Sequence, residues 1–302
     1  MRYSNYLSCS LLLIILAFIF IITCKDEATE PEKPLPPTEL HFSPTWSEAN
    51  GLIAYVHIGA PVIDHPDTTG IYVIRPDGTD KRSLFLYKLT YNFSVAGLDW
   101  ASDGQSLVAA LNGNIIKINY PDGEIDTLTT EGSLFFPVWS PDDRSIAYEI
   151  NGGDLRGIYI MQADGSEKRR VIEYGVYVDW PYPDSLIYTN FDSEFASKAI
   201  CIADTSGVYR REICQTNTVY TGDPQAKMHI DTRRIAFNTR DYWGIMWFLD
   251  PSAVEPRKIR EYAMSPSFSP DGDQIVFVNT ENGNGNVYII NWDGSGLRQL
   301  TF

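Results

Sequence analysis

Positive charge is in short supply. Lys and Arg number 24 against 39 Asp and Glu, a formal net charge of −15 over 302 residues. An acidic surface repels a phosphate backbone, which excludes a general nucleic-acid binder. Histidine is scarce as well: His41, His57, His65 and His229 are the whole supply, leaving little material for imidazole chemistry. Nucleophile signatures are missing. There is no Gly-x-Ser-x-Gly elbow, no Ser-x-x-Lys, no His-Glu-x-x-His and no phosphate-binding glycine loop. Gly and Pro, at 22 and 18, are too few for a collagen-like or low-complexity chain. After the first 22 residues no segment sustains a helical period, which points away from α-helical classes.

Cysteine is also rare, and its four positions are informative. Leu11 to Ile22 form an unbroken apolar run with Arg2 as the only preceding charge and Cys24 just beyond. As a helix the run rises roughly 18 Å, short of the ~30 Å hydrocarbon core, so it reads as the apolar region of a signal peptide. Ile21-Ile22-Thr23-Cys24 resembles the lipobox of bacterial lipoproteins, with Thr23 in place of the usual Gly, Ala or Ser. That resemblance implies cleavage after residue 23, lipidation of Cys24 and attachment to a membrane; an uncleaved anchor is the alternative. Both place the globular part outside the cytoplasm. Residues 24–39 are polar and Pro-rich and read as a flexible tether, and Lys25-Asp26-Glu27 resembles the export signal of surface-exposed lipoproteins in the Bacteroidetes. With Cys9 in the signal, the body keeps Cys201 and Cys214, on the two arms of one apparent hairpin. A cross-strand disulfide is open to them in an oxidising compartment, and hairpin register decides whether they face each other.

The 44% of hydrophobic residues is enough for a core, and length alone suggests two domains. A repeat replaces that reading. Pro137 to Ile172 and Pro266 to Phe302 share an aromatic anchor, a Ser-Pro-Asp turn, a short strand, a loop, an aliphatic-Tyr-Ile-aliphatic strand, an Asp-Gly turn and a last strand with Arg. The same ruler finds weaker copies at Trp46, Trp100, Trp180 and Met228, giving anchor spacings of 54, 39, 41, 48 and 40 residues. Each period fits four short antiparallel strands, and Asp-Gly pairs at Asp77, Asp103, Asp122, Asp164, Asp271 and Asp293 supply tight turns. One such sheet cannot bury both faces. Six stacked radially can, so residues 40–302 are expected to form an all-β, six-bladed β-propeller of four-stranded blades.

The strings WSPDDRSIAY, IYIMQADGS and FSPDGDQIVF resemble the WD40-like PD40 repeats of TolB-type propellers, which also occur in the propeller of prolyl oligopeptidases. The resemblance implies the fold and, by analogy, a role in the cell envelope. It does not imply TolB itself, which carries a separate α/β domain before its propeller. A prolyl oligopeptidase needs a hydrolase domain with Ser, Asp and His that has no counterpart here.

Alternating strand direction puts the short Ser-Pro-Asp and Asp-Gly turns on one face, which reads as structural. The variable loops 56–70, 149–157, 189–199, 238–244 and 278–286 lie on the other, where binding is expected. The candidate binding residues are His57 and His65 in the first loop, and Tyr242 and Trp243, which could stack on a sugar or peptide. His57, Asp64, His65 and Asp67 share one loop, but their spacing matches no metal motif, and no metal or cofactor is expected. The repeated turn aspartates and the anchors Trp46, Trp100, Trp139, Trp180 and Phe268 read as turn formers and inter-blade core, as does Trp247. The expectation is a lipid-anchored, extracytoplasmic, non-catalytic interaction module of the bacterial envelope, taking a protein or glycan through its loop-rich face. The alternative is a propeller enzyme or carbohydrate-binding protein with its site at the channel mouth. Convergent carboxylates, His or Arg there would favour the alternative.

Overall fold

The computed structural model describes residues 39–59, 69–87, 95–190, 199–215, 224–239, 244–281, 283 and 285–302. The readings that fall on the leader, the tether and Cys24, and those on His65, Tyr242 and Trp243, lie outside these residues. Six four-stranded sheets, each from consecutive strands, account for the fold. Blade 1 is β1 (Leu40–Trp46), β2 (Ile53–Ile58), β3 (Gly70–Ile74) and β4 (Arg82–Leu86). Blade 2 is β5 (Val95–Trp100), β6 (Ser106–Leu111), β7 (Asn114–Asn119) and β8 (Ile125–Thr127). Blade 3 is β9 (Leu134–Trp139), β10 (Ser145–Ile150), β11 (Gly157–Gln162) and β12 (Arg169–Ile172). Blade 4 is β13 (Gly175–Tyr182), β14 (Ser185–Asn190), β15 (Ala199–Asp204) and β16 (Arg210–Gln215). Blade 5 is β17 (Gln225–Met228), β18 (Ile235–Thr239), β19 (Ile245–Leu249) and β20 (Arg257–Glu261); blade 6 is β21 (Ala263–Phe268), β22 (Gln274–Asn279), β23 (Asn286–Asn291) and β24 (Arg298–Gln299). The expected propeller is therefore observed.

Strand alternation explains the core. Ala54 and Val56 of β2 face blade 2, whereas Ile53 and Tyr55 face blade 6 and pack on Val276, Val287 and Ile289. Every anchor sits in such a seam: Trp46, Trp100, Trp139, Trp180 and Phe268 are all at least nine-tenths buried. Trp247 packs in the seam between blades 4 and 5. The turn aspartates also behave as expected. Asp142 accepts from Ser140 Oγ at 2.7 Å and Asp164 from Ser166 N at 2.9 Å, the local bonding that makes Asp a turn former.

The ring closes without strand exchange. Across the seam between blades 6 and 1, Trp46 N donates to Ser267 Oγ at 3.2 Å and His41 N to Gly285 O at 2.7 Å. The disulfide left open to Cys201 and Cys214 is not formed, and both side chains are buried. Cys214 pairs with Ile200 and a register shift follows, so the two thiols lie on opposite faces of blade 4. Cys201 packs towards blade 3 and Cys214 towards blade 5.

Candidate functional site

Five of the six innermost strands carry a β-bulge with a residue at positive φ: Ser43, Gly97, Phe136, Tyr177 and Ser265. Only β17 pairs without a shift. Beyond the bulges, the residue before each anchor occupies one repeat position: Thr45, Asp99, Val138, Asp179, Lys227 and Ser267. All but Val138 line a cavity of about 210 Å³ at the anchor end of the channel, together with the tryptophan anchors, His229 and Glu48. Towards the bulges the space narrows to about 30 Å³. This cavity lies on the face of short turns that the sequence marks as structural.

Three residues of that layer form an ion cluster across the channel. Lys227 Nζ lies 2.8 Å from Asp179 Oδ1 on the adjacent blade and 3.5 Å from Asp99 Oδ1 on blade 2. The other carboxylate oxygens serve the next blade's backbone. Asp99 Oδ2 accepts from Trp139 N and Asp179 Oδ2 from Met228 N, both at 2.9 Å. Burial pushes Asp99 up to about 6, against the opposing pull of Lys227 and the Trp139 N–H. Burial also works against the Lys227 ammonium, but the attraction of the two carboxylates outweighs it and its pKa rises. His229 is engaged locally: its Nδ1 accepts from Thr232 N at 3.2 Å and its Nε2 lies 3.1 Å from Pro270 O. The indole N–H groups of Trp100, Trp139 and Trp180 have no hydrogen-bond partner among the described residues, whereas Trp46 Nε1 donates to Gly51 O.

The sequence reading missed Asp99, Asp179 and Lys227. The available signal was a charged residue at one repeat position in three of six copies. His57, which it did single out, lies at the end of β2, buried, with Nδ1 3.0 Å from His41 Nε2. Burial lowers both imidazoles, His41 to about 4, so both are neutral near pH 7.

Known structures share this architecture. TolB from Acinetobacter baumannii matches at 16% identity with a TM-score of 0.65, over 88% of this chain and 64% of that one. A nidogen/laminin complex matches at 14% and 0.62, over 88% and 94%. An oligogalacturonate lyase in complex with manganese matches at 14% and 0.56, over 82% and 76%. The likeness is one of fold. No protein-family profile and no curated protein matches the sequence. A six-bladed propeller is thus the scaffold, and because such scaffolds host unrelated activities, function rests on the site.

Proposed function

We propose that the protein is a lipid-anchored, extracytoplasmic propeller that acts as a non-catalytic binding module in the bacterial cell envelope. In this reading Cys24 carries the lipid, residues 24–39 are the tether, and the loop-rich face takes an envelope protein or glycan. The observation that carries it is the state of the channel. Lys227 is shared by two carboxylates, and each carboxylate also accepts a backbone N–H from the neighbouring blade. With His229 held in its turn, the convergent groups there are engaged in joining blades. The resemblance of the repeat strings to TolB-type propellers supports an envelope setting.

A second reading keeps an enzyme or carbohydrate-binding protein at the channel mouth. Two carboxylates and a lysine do converge, and Asp99 titrates near 6, within reach of general acid–base work. Against it, the cavity of about 210 Å³ is smaller than the roughly 300–1,000 Å³ of ordinary ligand sites. Cys24→Ala tests the anchoring: lipid labelling should vanish and the protein should leave the membrane fraction. Retention of both would refute the lipoprotein assignment. Turnover of an envelope glycan or peptide by the purified chain, lost in Asp99→Asn, would establish the second reading instead.

A further inference from the structure

The repeat provides an internal control for the first blade. One rung in from the loop-face ends of β1 and β2, where Leu40 pairs with Ile58, His41 pairs with His57. The same ladder position holds Val95 with Leu111, Leu134 with Ile150, Gly175 with Asn190 and Ala263 with Asn279. Two aliphatic pairs show that the fold needs no polar group there. Blade 1 alone among these five places two imidazoles at it, and Glu39 adds a carboxylate. One ligand atom from each of the three lies within 4.8 Å of the others.

We infer that Glu39, His41 and His57 form a binding site for a divalent transition-metal ion, with zinc the best match to two imidazoles and a carboxylate. His41 is pre-set as a ligand. Gly285 O can only accept, so the 3.0 Å contact with His41 Nδ1 puts the proton on Nδ1 and leaves a lone pair on Nε2. That lone pair faces His57 Nδ1 at 3.0 Å, a few tenths of an ångström short of the ~3.3 Å that separates donors around a tetrahedral zinc. Coordination moves the His57 proton from Nδ1 to Nε2, a change of tautomer with no net proton release. Glu39 Oε2 stands 4.0 Å from His41 Nε2, and its half-exposed side chain is free to close the gap. Three protein ligands leave a fourth position open. The Lys81 ammonium, which lowers both imidazoles, opposes a bound cation, and Glu39 offsets it. This site is independent of the channel and of the interaction-module reading.

The test is zinc titration of the purified full chain by calorimetry, with metal counted by atomic emission. The wild type should take one equivalent. His41→Val with His57→Leu, which copies blade 2, should lower the affinity by about 100-fold or more, and Glu39→Gln by about 10-fold. Folded wild type that takes no zinc in excess metal, or a folded double variant that binds as wild type does, overturns the site. Should the double variant fail to fold, the cobalt(II) form of the wild type decides. Paramagnetically shifted resonances from two histidine rings support the site, and their absence overturns it.

Discussion

Replacing Lys227 by Met removes the one cation from the channel cluster and leaves its surroundings otherwise intact. At an effective dielectric constant near 20, the contacts at 2.8 and 3.5 Å give gross attractions of about 6 and about 5 kcal/mol. Desolvation opposes this by several kcal/mol per ion, so the intact cluster is near neutral in net stability. Removing the lysine alone leaves two carboxylates facing each other. Such a broken pair costs about 3–5 kcal/mol, a large share of the ~5–15 kcal/mol by which a domain is stable. The side chains keep 10–19% exposure, which argues for the lower end. The pH dependence has a definite sign. Asp99 titrates near 6 in the fold against about 3.9 unfolded, so the native state binds more protons between those values. Its stabilising contribution is full below about 4 and is lost as pH rises through 6. Without Lys227 the carboxyl is pushed higher still, so the deficit of the variant should be smaller at pH 5 than at pH 8. Adding Asp99→Asn and Asp179→Asn keeps an oxygen for Trp139 N and Met228 N, removes all charge, and should recover most of the loss. Urea unfolding at both pH values reads all three proteins. A deficit under about 1 kcal/mol at pH 8, one that does not change with pH, or no recovery in the triple variant would refute the reasoning.

Other parts of the fold make further claims. Ser267→Ala orphans the Trp46 N–H at the ring seam and should cost about 1–2 kcal/mol, with faster hydrogen exchange at that amide; unchanged exchange would contradict the seam bond. Gly207 and Gly78 occupy equivalent turns at positive φ, but a Cβ at Gly207 would stand 1.8 Å from Val171 O, whereas one at Gly78 meets nothing within 4 Å. Gly78→Ala should therefore cost about 1 kcal/mol and Gly207→Ala about 3 or more, and equal denaturation midpoints would contradict this contact between blades. Burial pushes Cys201 up to about 11 and raises Cys214 as well. Alkylation of the native protein near pH 8 should leave both unmodified, and denaturant without reductant should expose both as free thiols to peptide mass spectrometry; recovery of a 201–214 disulfide peptide would contradict the register.

The propeller was legible because its information is local and repeated. Anchor, Ser-Pro-Asp turn and Asp-Gly turn recur within windows of forty-odd residues, and each recurrence does the same packing or turn work. The channel cluster was not legible, because Asp99 and Lys227 are 128 residues apart and meet only once the ring closes. The cysteines show the limit of register reading: one shift between Ile200 and Cys201 sends the thiols to opposite faces. His41 and His57 are sixteen residues apart on paired strands, a spacing that matches no linear metal motif, and only the ladder places their nitrogens together.

The proposed role has this propeller bind an envelope partner through its loop-rich face. In-cell crosslinking of the full-length protein, followed by identification of what it captures, is the decisive measurement. A defined envelope protein or glycan should be recovered, its capture falling with Trp243→Ala and unchanged by Asp99→Asn. Capture of nothing above background, together with turnover of an envelope glycan or peptide by the purified chain, would contradict it.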